Sequence, residues 1–188
     1  MDKQQRIEQV GKIYDQLTQL QKEFFQFWYD NTFLHYNWWI SLGLTVGPWL
    51  IWYLFRKKES TDRLLYGGFF VIIITCWFDF LGTSAGFWYY TGALVPTMPA
   101  YVPFDMCLFP VLVMLMIQWR PGISAWIKSV AFGIISAFIA EPLFSYIGFY
   151  VPVRWRYICS FPIYIVIYLI AHWLSSRNSF SEIQSDGK

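Results

Sequence analysis

The chain has 188 residues, 56% of them hydrophobic and 14% charged, with a formal net charge of +2. It is too apolar for an ordinary soluble domain, and it is long enough for several of the ~20-residue segments that cross a bilayer. Lys and Arg sit in short stretches between apolar runs rather than in a stripe interleaved with stacking aromatics, which argues against nucleic acid as a partner. The expected class is all-α: a polytopic transmembrane helix bundle of about five spans preceded by an N-terminal amphipathic helix.

Residues 1–34 are the first part. Ile7, Val10, Tyr14, Leu17, Leu20, Phe24 and Trp28 recur at three- and four-residue spacing between polar positions, which predicts an amphipathic helix. Lys3, Arg6, Lys12 and Lys22 are balanced by Asp2, Glu8, Asp15, Glu23 and Asp30, so the basic bias of a helix drawn to anionic lipid is absent. The expectation is that it packs on the chain's own membrane domain; a membrane surface or a partner helix are the alternatives. Charge runs throughout Met1 to Glu23 with no short apolar core, so no cleaved leader is expected.

Residues 35–174 are the expected transmembrane domain, with spans at about 38–55, 64–81, 103–119, 125–149 and 157–173. Residues 175–188 are a polar C-terminal tail. Arg56, Lys57, Lys58, Arg63, Arg120, Lys128, Arg177 and Lys188 fall on one side of this arrangement, and Arg154 and Arg156 on the other. The positive-inside rule then puts the N-terminus outside and the C-terminus in the cytoplasm, although the N-terminal arm carries four basic residues of its own. Trp38, Trp39, Trp88, Tyr89, Tyr90, Trp119, Trp155 and Trp173 stand at span ends, as interfacial aromatics do.

The loop from Gly82 to Val102 has no charged residue and is rich in rings and in Pro96, Pro99 and Tyr101. It is read either as a cap on a pocket or as an ordinary aromatic belt. Gly43 and Gly47, and Gly82 and Gly86, have the small-xxx-small spacing of close helix packing and are assigned to the bundle interior. There is also a faint repeat. Asp79-Phe80-Leu81 with Gly86-Phe87-Trp88 recurs as Glu141-Pro142-Leu143 with Gly148-Phe149-Tyr150, and Phe109-Pro110 recurs as Phe161-Pro162.

Three acids, Asp79, Asp105 and Glu141, lie within or at the edges of these spans at one expected depth. A charge at that depth costs about 3 kcal/mol or more. The nearest cations in the sequence are Arg154 and Arg156, so carboxylate–guanidinium pairs are expected, either to fix the helices or as part of a functional site. Pro110 and Pro142 each free a carbonyl one turn earlier, which would leave polar backbone for a cavity, while Pro48 has no acid near it. Cys76, Cys107 and Cys159 lack metal-ligand spacing and read as reduced packing cysteines. His35 and His172 have no ligand partner, and no phosphate loop, His-Glu-x-x-His or nucleophile elbow occurs, so neither metal nor cofactor is implied.

The run Trp77 to Gly82, Gly86 to Tyr90, Val102-Pro103-Phe104-Asp105, Phe109-Pro110, Glu141-Pro142, Arg154-Trp155 and Ser160 to Tyr164 resembles an uncharacterised family of small multi-pass membrane proteins from endospore-forming Gram-positive bacteria. The likeness covers roughly residues 38–174 and implies a bacterial plasma-membrane location without an activity. An acid ahead of Gly-x-Trp-x-Tyr, with Pro103 and Asp105 opening the next span, is also similar to lycopene-cyclase-type membrane proteins. In those, acids and aromatics promote protonation-driven ring closure. Here the first acid is Asp, and Met106 occupies the place of the second.

Three functional readings follow. The first is an outer-leaflet pocket of Asp79, Trp88, Tyr89, Asp105, Glu141, Tyr146, Arg154 and Trp155 that binds a lipid-like or amphipathic ligand, or a membrane partner. The second is a cyclase-like enzyme acting on an isoprenoid, with Asp105 or Glu141 as general acid and Trp88, Tyr89 and Tyr146 steadying a carbocation. The third is a small proton-coupled carrier, for which an odd number of spans suggests a homo-dimer.

Overall fold

A computed structural model describes residues 1–96 and 100–177 of the protein. Pro99, Lys188 and positions 178–188 of the expected polar tail lie outside the described residues. The described residues form six helices, α1 Lys3–Asn31, α2 Tyr36–Phe55, α3 Lys58–Ser84, α4 Pro103–Gln118, α5 Ala125–Tyr146 and α6 Tyr157–Ser175. Two short strands, β1 Trp88–Tyr90 and β2 Tyr150–Pro152, pair antiparallel with Trp88 opposite Pro152 and Tyr90 opposite Tyr150. By length and composition α2, α3, α5 and α6 can each cross a membrane, while α4 is apolar but shorter. Hydrocarbon offers no partner to a peptide group, so such apolar runs satisfy their backbone as helices.

Helix α3 packs against α4 and α6, and α5 packs against α6 and α4, so these four surround the core; α2 lies outside, on α4. The two α3 glycines Gly67 and Gly68 permit this closeness. A methyl at Gly67 would stand 2.9 Å from the Ala171 carbonyl of α6, and one at Gly68 would stand 2.8 Å from Met114 Sδ of α4. Inside are Val71, Phe104, Val113, Phe132, Phe144 and Tyr168. Gly43 and Gly47 depart from expectation. A methyl on either would meet nothing within 4 Å, so they do not mediate packing inside the bundle.

Helix α1 begins with a capping box, Asp2 accepting from the first turn and Gln5 Oε1 accepting from Asp2 N at 3.2 Å. It does not pack along the membrane domain as expected. Trp28 is its one buried residue, and among the described residues its side-chain hydrogen bonds to later elements are Gln21 Nε2 to Pro96 O at 2.6 Å and Trp28 Nε1 to Ala93 O at 2.7 Å. These bonds join a set that saturates the loop after β1. Trp38 Nε1 donates to Leu94 O at 3.1 Å, and Ser41 Oγ to Gly92 O at 2.5 Å.

The repeat is plainest where α3 and α5 end. Ala85, Gly86 and Phe87 donate backbone N–H to Leu81, Thr83 and Gly82; Ile147, Gly148 and Phe149 donate to Leu143, Ser145 and Phe144 in the same pattern. The glycine in each takes a left-handed conformation, with φ of 70° at Gly86 and 81° at Gly148, and the chain then enters a strand. Helices α4 and α6 start from this same strand end. At the opposite end, buried Lys128 donates through Nζ to Met116 O at 2.8 Å and Trp119 O at 2.5 Å, tying the start of α5 to the end of α4.

Candidate functional site

Asp79 and Glu141 stand five residues before the ends of α3 and α5, and Asp105 is the third residue of α4, so three helices bring their acids to one level beneath the strands. All three are buried, with 6%, 3% and 8% of Asp79, Asp105 and Glu141 exposed. Arginine is not their partner. Arg154 and Arg156 are exposed, and among the described residues no cation pairs with these acids. The expected carboxylate–guanidinium pairs are replaced by aromatic and backbone donors.

Asp79 is fully engaged. Its Oδ1 accepts from Trp88 Nε1 at 3.1 Å and from Tyr90 OH at 2.9 Å, and its Oδ2 accepts from Tyr101 N at 3.1 Å. That amide also donates to Asp105 Oδ2 at 2.9 Å. Thr75 Oγ1 donates to the Asp105 carbonyl at 3.2 Å, which locks the first turn of α4 to α3. Burial pushes the Tyr90 phenol well above its ordinary value, and the nearby Asp79 and Asp105 carboxyls add to this, so Tyr90 remains a donor. Glu141 is less engaged: Oε1 accepts from Tyr164 OH of α6 at 2.7 Å, while Oε2 is buried without a hydrogen-bond partner.

These side chains line a cavity of about 70 Å³, room for a few waters or a small polar group. Helix α3 contributes Thr75, Phe78 and Asp79, and α4 contributes Phe104, Asp105, Leu108 and Phe109. Ala140 and Glu141 come from α5, and Ser160, Ile163, Tyr164 and Ile167 from α6. Trp88, Tyr90 and Tyr150 of the strands, with Trp155, form the remaining wall. The rings brace one another. Tyr90 stacks on Tyr101 with centroids 4.6 Å apart, Trp88 meets Trp155 edge-on at 5.2 Å, and Trp155 Nε1 donates to Ser160 Oγ at 2.8 Å. Phe78, 39% exposed, carries the lining to the outer face of the bundle.

Of the residues expected at a pocket, Asp79, Trp88, Asp105, Glu141 and Trp155 line this cavity. Tyr89, Tyr146 and Arg154 do not. Tyr89 is on the outward-facing side of β1, Tyr146 is 90% exposed, and Arg154 is exposed with its backbone N–H bonded to Phe87 O at 2.9 Å. The polar lining residues that the sequence reading missed are Tyr90, Tyr150, Tyr164, Thr75 and Ser160. Trp88 and Tyr90 of the uncharged loop line the cavity, whereas none of its described residues 91–96 does. Pro110 also acts differently from expectation. The Met106 carbonyl that Pro110 leaves free accepts from Trp49 Nε1 of α2 at 3.0 Å, so it docks α2 and does not open onto a cavity.

Among the described residues, no group of three or more His, Cys, Asp or Glu side chains is arranged to hold a metal ion. Carboxyls so close together in a poorly polarisable interior require positive charge beside them, as a proton or as a cation. Eight of the lining side chains present aromatic rings near these acids, a surface that attracts cations and packs against hydrocarbon. Comparison with protein-family models, curated proteins and solved structures found no match to this chain.

Proposed function

We propose that the protein is an integral membrane protein of five spans, α2 to α6, whose pocket binds the polar end of a lipid-like or amphipathic ligand. The observation that carries this reading is convergence. Three carboxyls from three helices and rings from both strands face one cavity that no Lys or Arg lines. The cavity is too small for a whole lipid, and Phe78 extends it to the face of helices apolar enough to lie in a bilayer. The ligand's tail therefore stays among membrane lipids while its head enters between α3 and α6.

Orientation follows from charge. Arg56, Lys57, Lys58, Arg63, Arg120 and Lys128 gather at the end opposite the strands, so that end is cytoplasmic, the N-terminus is outside and the pocket belongs to the outer leaflet. The family resemblance makes the membrane a bacterial plasma membrane. The exposed apolar positions of α1, Ile7, Val10, Tyr14 and Leu17, give it an amphipathic face available to lipid, to a second copy or to a membrane-protein partner.

The test is native mass spectrometry with lipid identification on the intact protein and on a folded Asp79→Asn, Asp105→Asn, Glu141→Gln variant. A specific amphiphile carried by the first and absent from the second is the expected result. Identical bulk lipid on both would remove the reading.

A second reading is a cyclase-like enzyme acting on an isoprenoid by acid catalysis. It is supported by the adjacency of Asp79 and Asp105, which accept from one amide, beside the rings of Trp88, Tyr90 and Phe104. It requires that a polyprenyl substrate be consumed and that Asp105→Asn stop the turnover.

A further inference from the structure

Asp79 and Glu141 hold equivalent places in the two helix endings, yet their surroundings differ. Asp79 receives three hydrogen bonds, which occupy both oxygens. Glu141, which lines the cavity with 8% of its surface exposed, receives one from Tyr164, has the Ser160 hydroxyl beside it, and keeps Oε2 without a hydrogen-bond partner. An unpaired carboxylate oxygen in such a place is costly to leave unmet. One half of the repeat is closed and the other is open.

We infer that Glu141 Oε2 anchors a primary or secondary ammonium group, so that the ligand is a long-chain amine. The inference rests on the pocket being a ligand site. As a carboxylate the bare oxygen accepts, and a charged N–H donor meets both its hydrogen-bonding need and its charge. With three carboxyls and no Lys or Arg in the lining, an anionic head is repelled and a cationic one supplies the missing charge. Trp88, Tyr150, Trp155 and Tyr164 line the same cavity, and aromatic ring faces attract a cation more than a neutral hydroxyl. A quaternary ammonium has no N–H for Oε2, and a cavity of about 70 Å³ favours a small head. The head is therefore small and carries N–H.

The experiment uses the full-length protein in phosphatidylcholine nanodiscs and four photoreactive dodecyl probes that differ only in the head: primary amine, trimethylammonium, alcohol and carboxylate. Labelled peptides are mapped by mass spectrometry. Labelling of pocket peptides by the amine is expected to exceed that by each other probe at least tenfold. It should fall at least tenfold in Glu141→Gln and stay unchanged in Glu59→Gln, an exposed acid far from the pocket.

If none of the four probes labels the pocket, the ligand-site reading itself is wrong. If the alcohol, the carboxylate or the trimethylammonium probe labels it as well as the amine, the pocket stands and the ammonium assignment falls. Equal amine labelling of folded Glu141→Gln and the unsubstituted protein would remove Glu141 as the anchor. Thermal unfolding of each variant verifies its fold, and the comparison of heads on the unsubstituted protein decides the ammonium question even where a variant fails to fold.

Discussion

Asp79 and Asp105 accept hydrogen bonds from a single amide, that of Tyr101, at 3.1 and 2.9 Å. The residue that opens the way into α4 thereby fixes an acid on α3 and an acid on α4 at once. Tyr101 in turn stacks on Tyr90, which donates to Asp79. The paired acids are as much a structural joint as a chemical site, and the first expectation separates these roles.

Asp79→Ala strands two donors, Trp88 Nε1 and Tyr90 OH, and leaves Tyr101 N only its bond to Asp105. Each unmet buried donor costs about 1–3 kcal/mol, and a chain of this size loses roughly 2–4 °C of Tm per kcal/mol. Glu141→Ala strands only Tyr164 OH. Unfolding in detergent followed by circular dichroism should therefore show a clearly larger loss for Asp79→Ala. An equal loss at both positions would contradict the asymmetry between them.

Gly82→Ala should uncouple Trp88 from Asp79. A methyl at Gly82 overlaps the Trp88 indole, so the ring has to leave the position from which Nε1 donates. The expected outcome is a Tm loss comparable to that of Trp88→Phe, with the two changes together costing much less than their sum. Additive losses would mean that the glycine and the indole act independently.

Lys128→Met removes the ammonium that caps α4 through the carbonyls of Met116, Ile117 and Trp119. Three charge-assisted bonds at a helix end predict a loss of about 1.5–3 kcal/mol. Binding at the strand end should be unchanged, because Lys128 lies at the other end of α5. Loss of binding at full thermal stability is the outcome that contradicts this division of labour.

Alkaline pH gives a signed test. Burial raises the Tyr101 phenol from 10.0 to about 12, so in that window the folded chain keeps a proton that the unfolded chain has released. Stability is complete below the unfolded value of 10.0 and falls as pH rises toward about 12. Plotted against pH, the Tm of Tyr101→Phe should start lower, because its hydroxyl bonds to Ser41 and Gly92 are gone, and then fall less steeply. Parallel slopes would show that Tyr101 does not titrate between the two states.

The helices were legible because an apolar run has one way to satisfy its backbone in lipid. Expected starts at Pro103, Ala125 and Tyr157 coincide with those observed for α4, α5 and α6, whereas α3 extends beyond 64–81 to Lys58–Ser84 through polar turns that hydropathy does not mark. The acids were legible for the same reason, since charge in such runs stands out. Which rings accompany them was not. Choosing Tyr89 over Tyr90 reflects an unrecognised strand, in which side chains alternate and Trp88 and Tyr90 share the inward face. Tyr146 fails by helical arithmetic, because five residues past Glu141 is a rotation of about 140° from it. Tyr164 lies four residues past Ser160 on one face of α6, a relation that has meaning only once α6 is placed beside α5.

The pairing of β1 with β2 bears on motion. It joins the α3–α4 half to the α5–α6 half across the strand end, and Thr91 N to Phe149 O, with Val153 N and Arg154 N to Phe87 O, extend the join through backbone alone. A transporter that works by rocking its halves must part them first on one side and then on the other. Here outward parting would tear a ladder of peptide hydrogen bonds, and inward parting would tear Lys128 from the end of α4. The bundle is latched at both faces. On the proposed ligand-site reading the way in is sideways, past Phe78, and a carrier that alternates between compartments is the reading this architecture suits least.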